Sequence, residues 1–233
     1  MISNNTVVKG IAIMEPRICT RNEFSKRYWK YYLLLEKEFL NIEQYLAIDE
    51  VNFSAFSIEY IKQYQTICSE IDVISKSFCK VIDSRFNGKS IPMYCKCILD
   101  NNTDFTNRVI RLKNRNITMT PWKDWSYSMV LQQDGRTKPT STNPDWWQKY
   151  NKVKHTRTTI NSSTGLPYYK LANQNNVLSA LAGLFQLELY YYRLLHQTYF
   201  SNEPDMPDSP SALFEIENWG NVWTVIGEGI AIR

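Results

Sequence analysis

Histidine is almost missing from this chain: among 233 residues only His155 and His196 carry an imidazole. Glycine is sparse too, and none of the eight falls in a GxGxxG pattern or in GxxxxGK followed by Ser or Thr. That excludes the glycine-built phosphate cradles of dinucleotide folds and P-loops. Long apolar runs are also lacking. The most apolar stretch, 177–192, is interrupted by Gln186 and Glu188 and falls short of the roughly 20 residues a bilayer span needs. The opening MISNNTVVKGIAIMEP lacks the charged start and long apolar core of a signal peptide, so the expectation is a cytoplasmic protein with no membrane partner. The five cysteines are an odd set, which argues against a disulfide scaffold. Cys95 and Cys97 form a CxC pair, but no second pair lies at zinc-like spacing, so ordinary thiols are expected and neither metal nor cofactor is implied.

Ring-bearing side chains are abundant. There are 15 tyrosines, 10 phenylalanines and 7 tryptophans, and the apolar fraction is 43%. A chain of this length can bury a substantial core and still leave rings with polar ends for surfaces. The formal charge of +4 neither demands nor excludes a polyanion, because such binding follows the clustering of cations.

Three long segments carry helical periodicity. In the first, Phe24, Tyr28, Tyr31, Leu35, Phe39, Ile42 and Leu46 recur three and four apart, with Asn22 as N-cap and Glu23 in the first turn. Over 54–86, Tyr60, Tyr64, Ile67, Ile71, Ile74, Phe78 and Ile82 make a second stripe, which Asn87-Gly88 ends. The short link at 49–53 predicts antiparallel pairing of these two helices. The third segment, 172–199, is apolar nearly all round and belongs in the middle of a bundle, where Ser179, Ala180, Ala182 and Gly183 would let a neighbouring backbone approach. Glu188 breaks its apolar surface and needs a cationic or hydrogen-bonding partner if buried.

Between the second and third helices the pattern changes. A short helix at 91–99 precedes RVIRLKNRNITMTPW, whose alternating β-branched residues predict a β-hairpin near 108–120. It gathers Arg108, Arg111, Lys113 and Arg115, either as a solvated charged edge or as a polyanion contact. QQDGRTKPTSTNP reads as a polar loop, and Asn143-Pro144-Asp145 opens a helix with Asn143 as N-cap. Beyond 200, PDMPDSP cannot be helical, and WGNVWTVIGEGIAIR reads as a short strand or ordered arm. The expected organisation is an N-terminal arm over 1–21, a mainly α antiparallel bundle over 22–199 with the hairpin inserted within 100–142, and an irregular C-terminal extension over 200–233.

The helix DWWQKYNKVKHTR, 145–157, holds one of the two imidazoles among two tryptophans and several cations. Trp146, Tyr150, Val153 and Arg157 share one stripe; Trp147, Asn151, Lys154 and His155 share the next, with Asn151 and His155 four apart. His196, near the end of the apolar helix, reads as structural, complementing the helix dipole.

YNKVKH on a short helix, then a polar loop, then the apolar ANQNNVLSALAGLF resembles the motif region of the HEPN superfamily. The helices bearing YWKYYLLLEKEFL and YIKQYQTICSEIDVI fit the same pattern, so the resemblance covers most of 24–199. It implies a HEPN-like helical bundle, a homodimer and an RNA-directed role. It also implies kinship with metal-independent ribonucleases of toxin–antitoxin and phage-defence systems, and hence an antitoxin or defence protein as partner. The ribonuclease motif of the family is an arginine, a polar residue and a histidine a few positions on. Asn151 and His155 match the last two, while Tyr150 stands at the arginine position. The implied roles are His155 as acid/base, Asn151 as its orienter, Lys154 as phosphate ligand and Tyr150 as a hydrogen-bonding group in the cleft. Lys149, Lys152 and Arg157 would bind substrate. RNA cleavage needs a base for the 2′-hydroxyl and a fixed cation for the phosphorane, a task for which a guanidinium is far better suited than a flexible ammonium. Three readings stand: a ribonuclease, a non-catalytic module that binds RNA, a nucleotide or a partner protein, and a purely structural bundle.

Overall fold

The computed structural model describes residues 19–202, 204 and 206–219, and the backbone course of 223–226 and 229–232. Of the expected N-terminal arm, residues 1–18 lie outside the described residues. The chain is mainly α with small antiparallel sheets.

Helix α1 (Arg21–Phe24) continues through a π-helical turn (Ser25–Trp29) into α2 (Lys30–Ile42). Its cap is Thr20, not Asn22: the Glu23 amide donates to Thr20 Oγ1 at 3.2 Å and the Thr20 amide donates to Glu23 Oε2 at 3.2 Å. TRNE is thus a capping box. Thr20→Ala should cost about 1 kcal/mol in urea unfolding, and an unchanged midpoint would show that the box contributes nothing. The π turn alters which face is buried. Phe24 and Trp29 would lie roughly 140° apart on an α-helix, yet both are buried here together with Tyr32.

Helix α3 (Ile58–Ile82) is capped by Ser57 Oγ, which accepts from the Tyr60 amide at 3.0 Å. It ends before the expected Asn87-Gly88 because Asp83 closes a turn, accepting from the Arg85 amide on its side chain and the Phe86 amide on its carbonyl. Helix α4 (Ile91–Asn101) follows, and α6 (Gln174–Tyr199) is buried over nearly its whole circumference, as its composition requires. Tyr60 lies by Gln174 and Phe78 by Tyr191, so α3 and α6 run parallel. Tyr28 reaches Ser77 at 3.5 Å while Phe39 packs on Tyr60, so α2 and α3 are antiparallel as expected.

At Gly183 of α6 tryptophan rings make the close approach, rather than a neighbouring backbone. Trp122 Nε1 donates to the Gly183 carbonyl at 3.0 Å, and a Cβ at Gly183 would lie 3.2 Å from the Trp146 ring. Glu188 is fully buried with neither oxygen hydrogen-bonded, so the expected partner is not found among the described residues.

Strands β1 (Ile110–Leu112) and β2 (Thr118–Met119) form the expected hairpin. The polar stretch after it is not a loop. It forms a second hairpin, β3 (Ser126–Leu131) with β4 (Thr137–Thr142), around Asp134-Gly135 with Gly135 at φ +78°. Helix α5 (Asp145–Thr156) then starts without a side-chain cap, since Asn143 Oδ1 accepts instead from Ser141 Oγ at 2.8 Å.

The C-terminal extension is irregular over 206–213 and then forms short strands. β5 (Phe214–Ile216) pairs with β1, placing Ile110 opposite Ile216 and Leu112 opposite Phe214, all four buried. β6 (Trp223–Ile226) and β7 (Gly229–Ile232) pair with each other. A carboxylate holds the segment before β5 in place. Glu36 of α2, 2% exposed, accepts from Tyr32 Oη at 2.6 Å, the Ala212 amide at 2.8 Å, the Leu213 amide at 3.2 Å and Ser211 Oγ. Lys113 Nζ donates to the Ser211 carbonyl at 2.7 Å, and burial lowers the pKa of that ammonium.

Candidate functional site

Helix α5 is seated on the core by its aromatic face. Trp146 Nε1 donates to the Pro121 carbonyl at 2.6 Å, and Tyr64 of α3 donates its hydroxyl to the Trp146 carbonyl. Trp147, assigned by its spacing to the polar stripe, is buried as well, because α5 packs on both α3 and α6 and their joint surface covers a wide arc.

Tyr150 is no cleft residue. Only 5% exposed, its ring packs between Tyr64 and Trp147 at centroid distances of 5.6 and 5.3 Å. Burial first, then Cys68 and Asp72 of α3, push its hydroxyl up to about 12. This phenol therefore stays protonated at neutral pH and lies in the interior, so the expected cleft hydrogen bond is not made.

Lys149 bridges to Asp145 at 2.5 Å across one helical turn. The Lys154 ammonium lies over the Tyr150 ring at 5.7 Å, on the side facing Cys68 of α3. Lys152 lies over Tyr168 at 5.3 Å, tying α5 to the loop that follows it. His155 and Arg157 are exposed, and neither side chain makes a hydrogen bond or ion pair among the described residues. Asn151 is half-buried one turn before His155, and Gln148 is exposed beyond it. The outer stripe of α5 is therefore Gln148, Asn151, Lys152 and His155, with Arg157 at its end.

The hairpin cations are occupied elsewhere. Arg108 pairs with Asp104 and donates to Tyr190 Oη at 3.0 Å, Arg111 bridges Glu217 at 2.7 Å, and Arg115 pairs with Glu43. Lys113 is likewise held by the Ser211 carbonyl, so each of the four cations already has a protein partner.

Beside α5 the structure opens a cleft of about 370 Å³, lined in part by Ser54, Phe56, Leu166, Tyr168, Lys170 and Asn173. Phe56 is 44% exposed, with the Lys170 ammonium 4.9 Å from its ring centre. Sequence reasoning passed over this cleft because its two walls lie more than a hundred residues apart, although the basic-aromatic run PYYK was visible. Among the described residues, no group of three or more His, Cys, Asp or Glu side chains could hold a metal ion, and no helix is long and apolar enough to cross a membrane. Comparison with family models, curated proteins and solved structures finds no match to this chain.

Proposed function

We propose that this is an RNA-directed, HEPN-like protein that binds the phosphate backbone through the outer face of α5 and acts by binding rather than by cleaving. The observation that carries the reading is the contrast at the motif. Position 150, where the ribonucleases carry arginine, is a tyrosine packed in the core, while Lys152, His155 and Arg157 stand exposed around it. Without a fixed guanidinium at the scissile phosphate, charge growing on a phosphorane has no rigid partner. Exposed lysine and arginine suffice for binding, because displaced counterions drive it. Lys152 is partly pre-positioned by Tyr168, and the adjacent cleft offers rings on which an unpaired base can stack. A homodimer with two α5 helices facing one groove would double the charge.

The test is anisotropy titration of a labelled mixed-sequence RNA at several salt concentrations. Replacing Lys152 and Arg157 together with alanine should weaken binding about tenfold and flatten the salt slope by about 2. Equal affinity in the double variant would refute the assignment. One observation favours the ribonuclease reading: the His155 imidazole is open to a substrate and has no hydrogen-bonding or ion-pair partner among the described residues. RNA cleavage that persists in EDTA and disappears in His155→Ala would establish that reading instead.

A further inference from the structure

A second reactive feature lies on the α3–α4 side of the molecule and is independent of the RNA reading. Cys79 near the end of α3 and Cys97 on α4 face one another across the helix pair. Cys97 Sγ lies 4.0 Å from the Cys79 carbonyl, and Cys79 Sγ lies 4.0 Å from the Tyr94 carbonyl one turn before Cys97. Each thiol thus points toward the backbone of the opposite helix across one packed interface. Thiols that face one another across a packed helix pair are placed to reach bonding distance with modest movement.

Access is unequal. Cys79 is fully buried, whereas Cys97 is half-buried and lines an open cleft of about 380 Å³ together with Met93, Lys96, Asp100 and Met129. The remaining thiols are less suited to reaction. Cys68 and Cys95 are buried, and burial raises both. Cys19 is half-exposed but is raised by burial and by Glu23. Cys97 alone is lowered, mainly by the hydrogen bond from Cys79 and also by Lys96, against burial and the opposing charges of Asp83 and Asp100.

We propose that Cys97 and Cys79 form a peroxide-oxidisable pair, with Cys97 as the attacking thiol and Cys79 as the resolving one, whose product is a disulfide tying α3 to α4. In the first step the Cys97 thiolate attacks a hydroperoxide. An S–O bond forms, the O–O bond breaks, the sulfur is oxidised to sulfenic acid, and the peroxide is reduced and leaves as hydroxide or alkoxide. In the second step Cys79 sulfur attacks Cys97 sulfur. The S–S bond forms, the S–O bond breaks, and the Cys79 proton leaves with the hydroxyl as water. The cleft admits the small oxidant, and the buried partner is already in place to intercept the sulfenic acid before further oxidation.

The experiment treats the purified full chain with hydrogen peroxide, blocks residual thiols by alkylation and maps the peptides by mass spectrometry. The expected result is a Cys79–Cys97 linked peptide and the loss of two of the five alkylatable thiols, restored by a dithiol reductant. In Cys79→Ala, where no resolving thiol remains, Cys97 should instead be trapped by dimedone as the sulfenic acid. Oxidation confined to Cys19 in the wild-type chain, or a Cys97 that stays reduced, overturns the proposal. Because the wild-type map decides this alone, misfolding of the variant would not rescue it.

Discussion

Glu36→Ala should be the most damaging single substitution in the chain, costing on the order of 4 kcal/mol. Four donors from Tyr32, Ser211, Ala212 and Leu213 converge on this one carboxylate inside the protein. A buried donor that loses its acceptor bears its full desolvation penalty, about 1–3 kcal/mol each, partly relieved where water can enter. Removing one member of a buried charged cluster typically costs about 3–5 kcal/mol. The loss is two-sided, because the carboxylate fixes the segment that delivers β5 to β1. Urea unfolding should report the destabilisation, and hydrogen exchange should report faster opening at 211–216 than at α6. A midpoint within about 0.5 kcal/mol of wild type would mean that the tail is held by packing alone.

Substituting Glu188 should act in the opposite direction. It is fully buried, neither oxygen has a hydrogen-bond partner among the described residues, and burial, aided by the charge of Glu70, holds its pKa well above the usual carboxylate range. A raised folded pKa means that the folded chain keeps a proton which the unfolded chain releases. Below about pH 4.3 both states are protonated and the site imposes no linkage cost. As pH climbs above that value toward the folded pKa, stability falls by about 1.4 kcal/mol per pH unit from this group. Glu188→Leu should therefore stabilise the protein at pH 7 by about 3 kcal/mol, with a gain that shrinks as the medium is acidified toward pH 4.5. Glu70 is also raised by burial, so the difference between variant and wild type, rather than either profile alone, isolates Glu188. A gain independent of pH would assign the effect to packing, and a loss of stability would mean that the carboxyl has an essential partner.

The long helices were legible because burial alone decides them. The stripe from Tyr60 to Phe78 and the apolar surface of 174–199 follow directly from residue spacing. What was missed had a local signal too weak or a partner too distant. TRNE has the spacing of a capping box, which places the cap at Thr20 rather than at Asn22. β3 and β4 are largely exposed, with only Tyr127, Pro139 and Ser141 half-buried toward α4, so their apolar alternation is weak and Asp134-Gly135 is the clearest signal of the turn. β5 is three residues long and is defined by β1, a hundred positions earlier. At the candidate site, spacing put His155 on the polar stripe, where it is exposed, but set Arg157 on the apolar stripe, although Arg157 is exposed too. It misplaced Trp147, because the buried arc of α5 depends on two neighbouring helices that spacing cannot reveal.

The reach of the Glu36 cluster has a consequence for biosynthesis. Its carboxylate leaves the ribosome about 175 residues ahead of Ser211. At roughly 5–20 residues per second, that interval lasts about ten to thirty seconds. Throughout it α2 carries an anion on a face shaped for burial, and β1 presents an open edge of the kind that invites pairing with other chains. Helix α2 thus cannot settle against its final partners until residues 211–213 are translated, and premature termination before codon 211 would yield a product prone to aggregate.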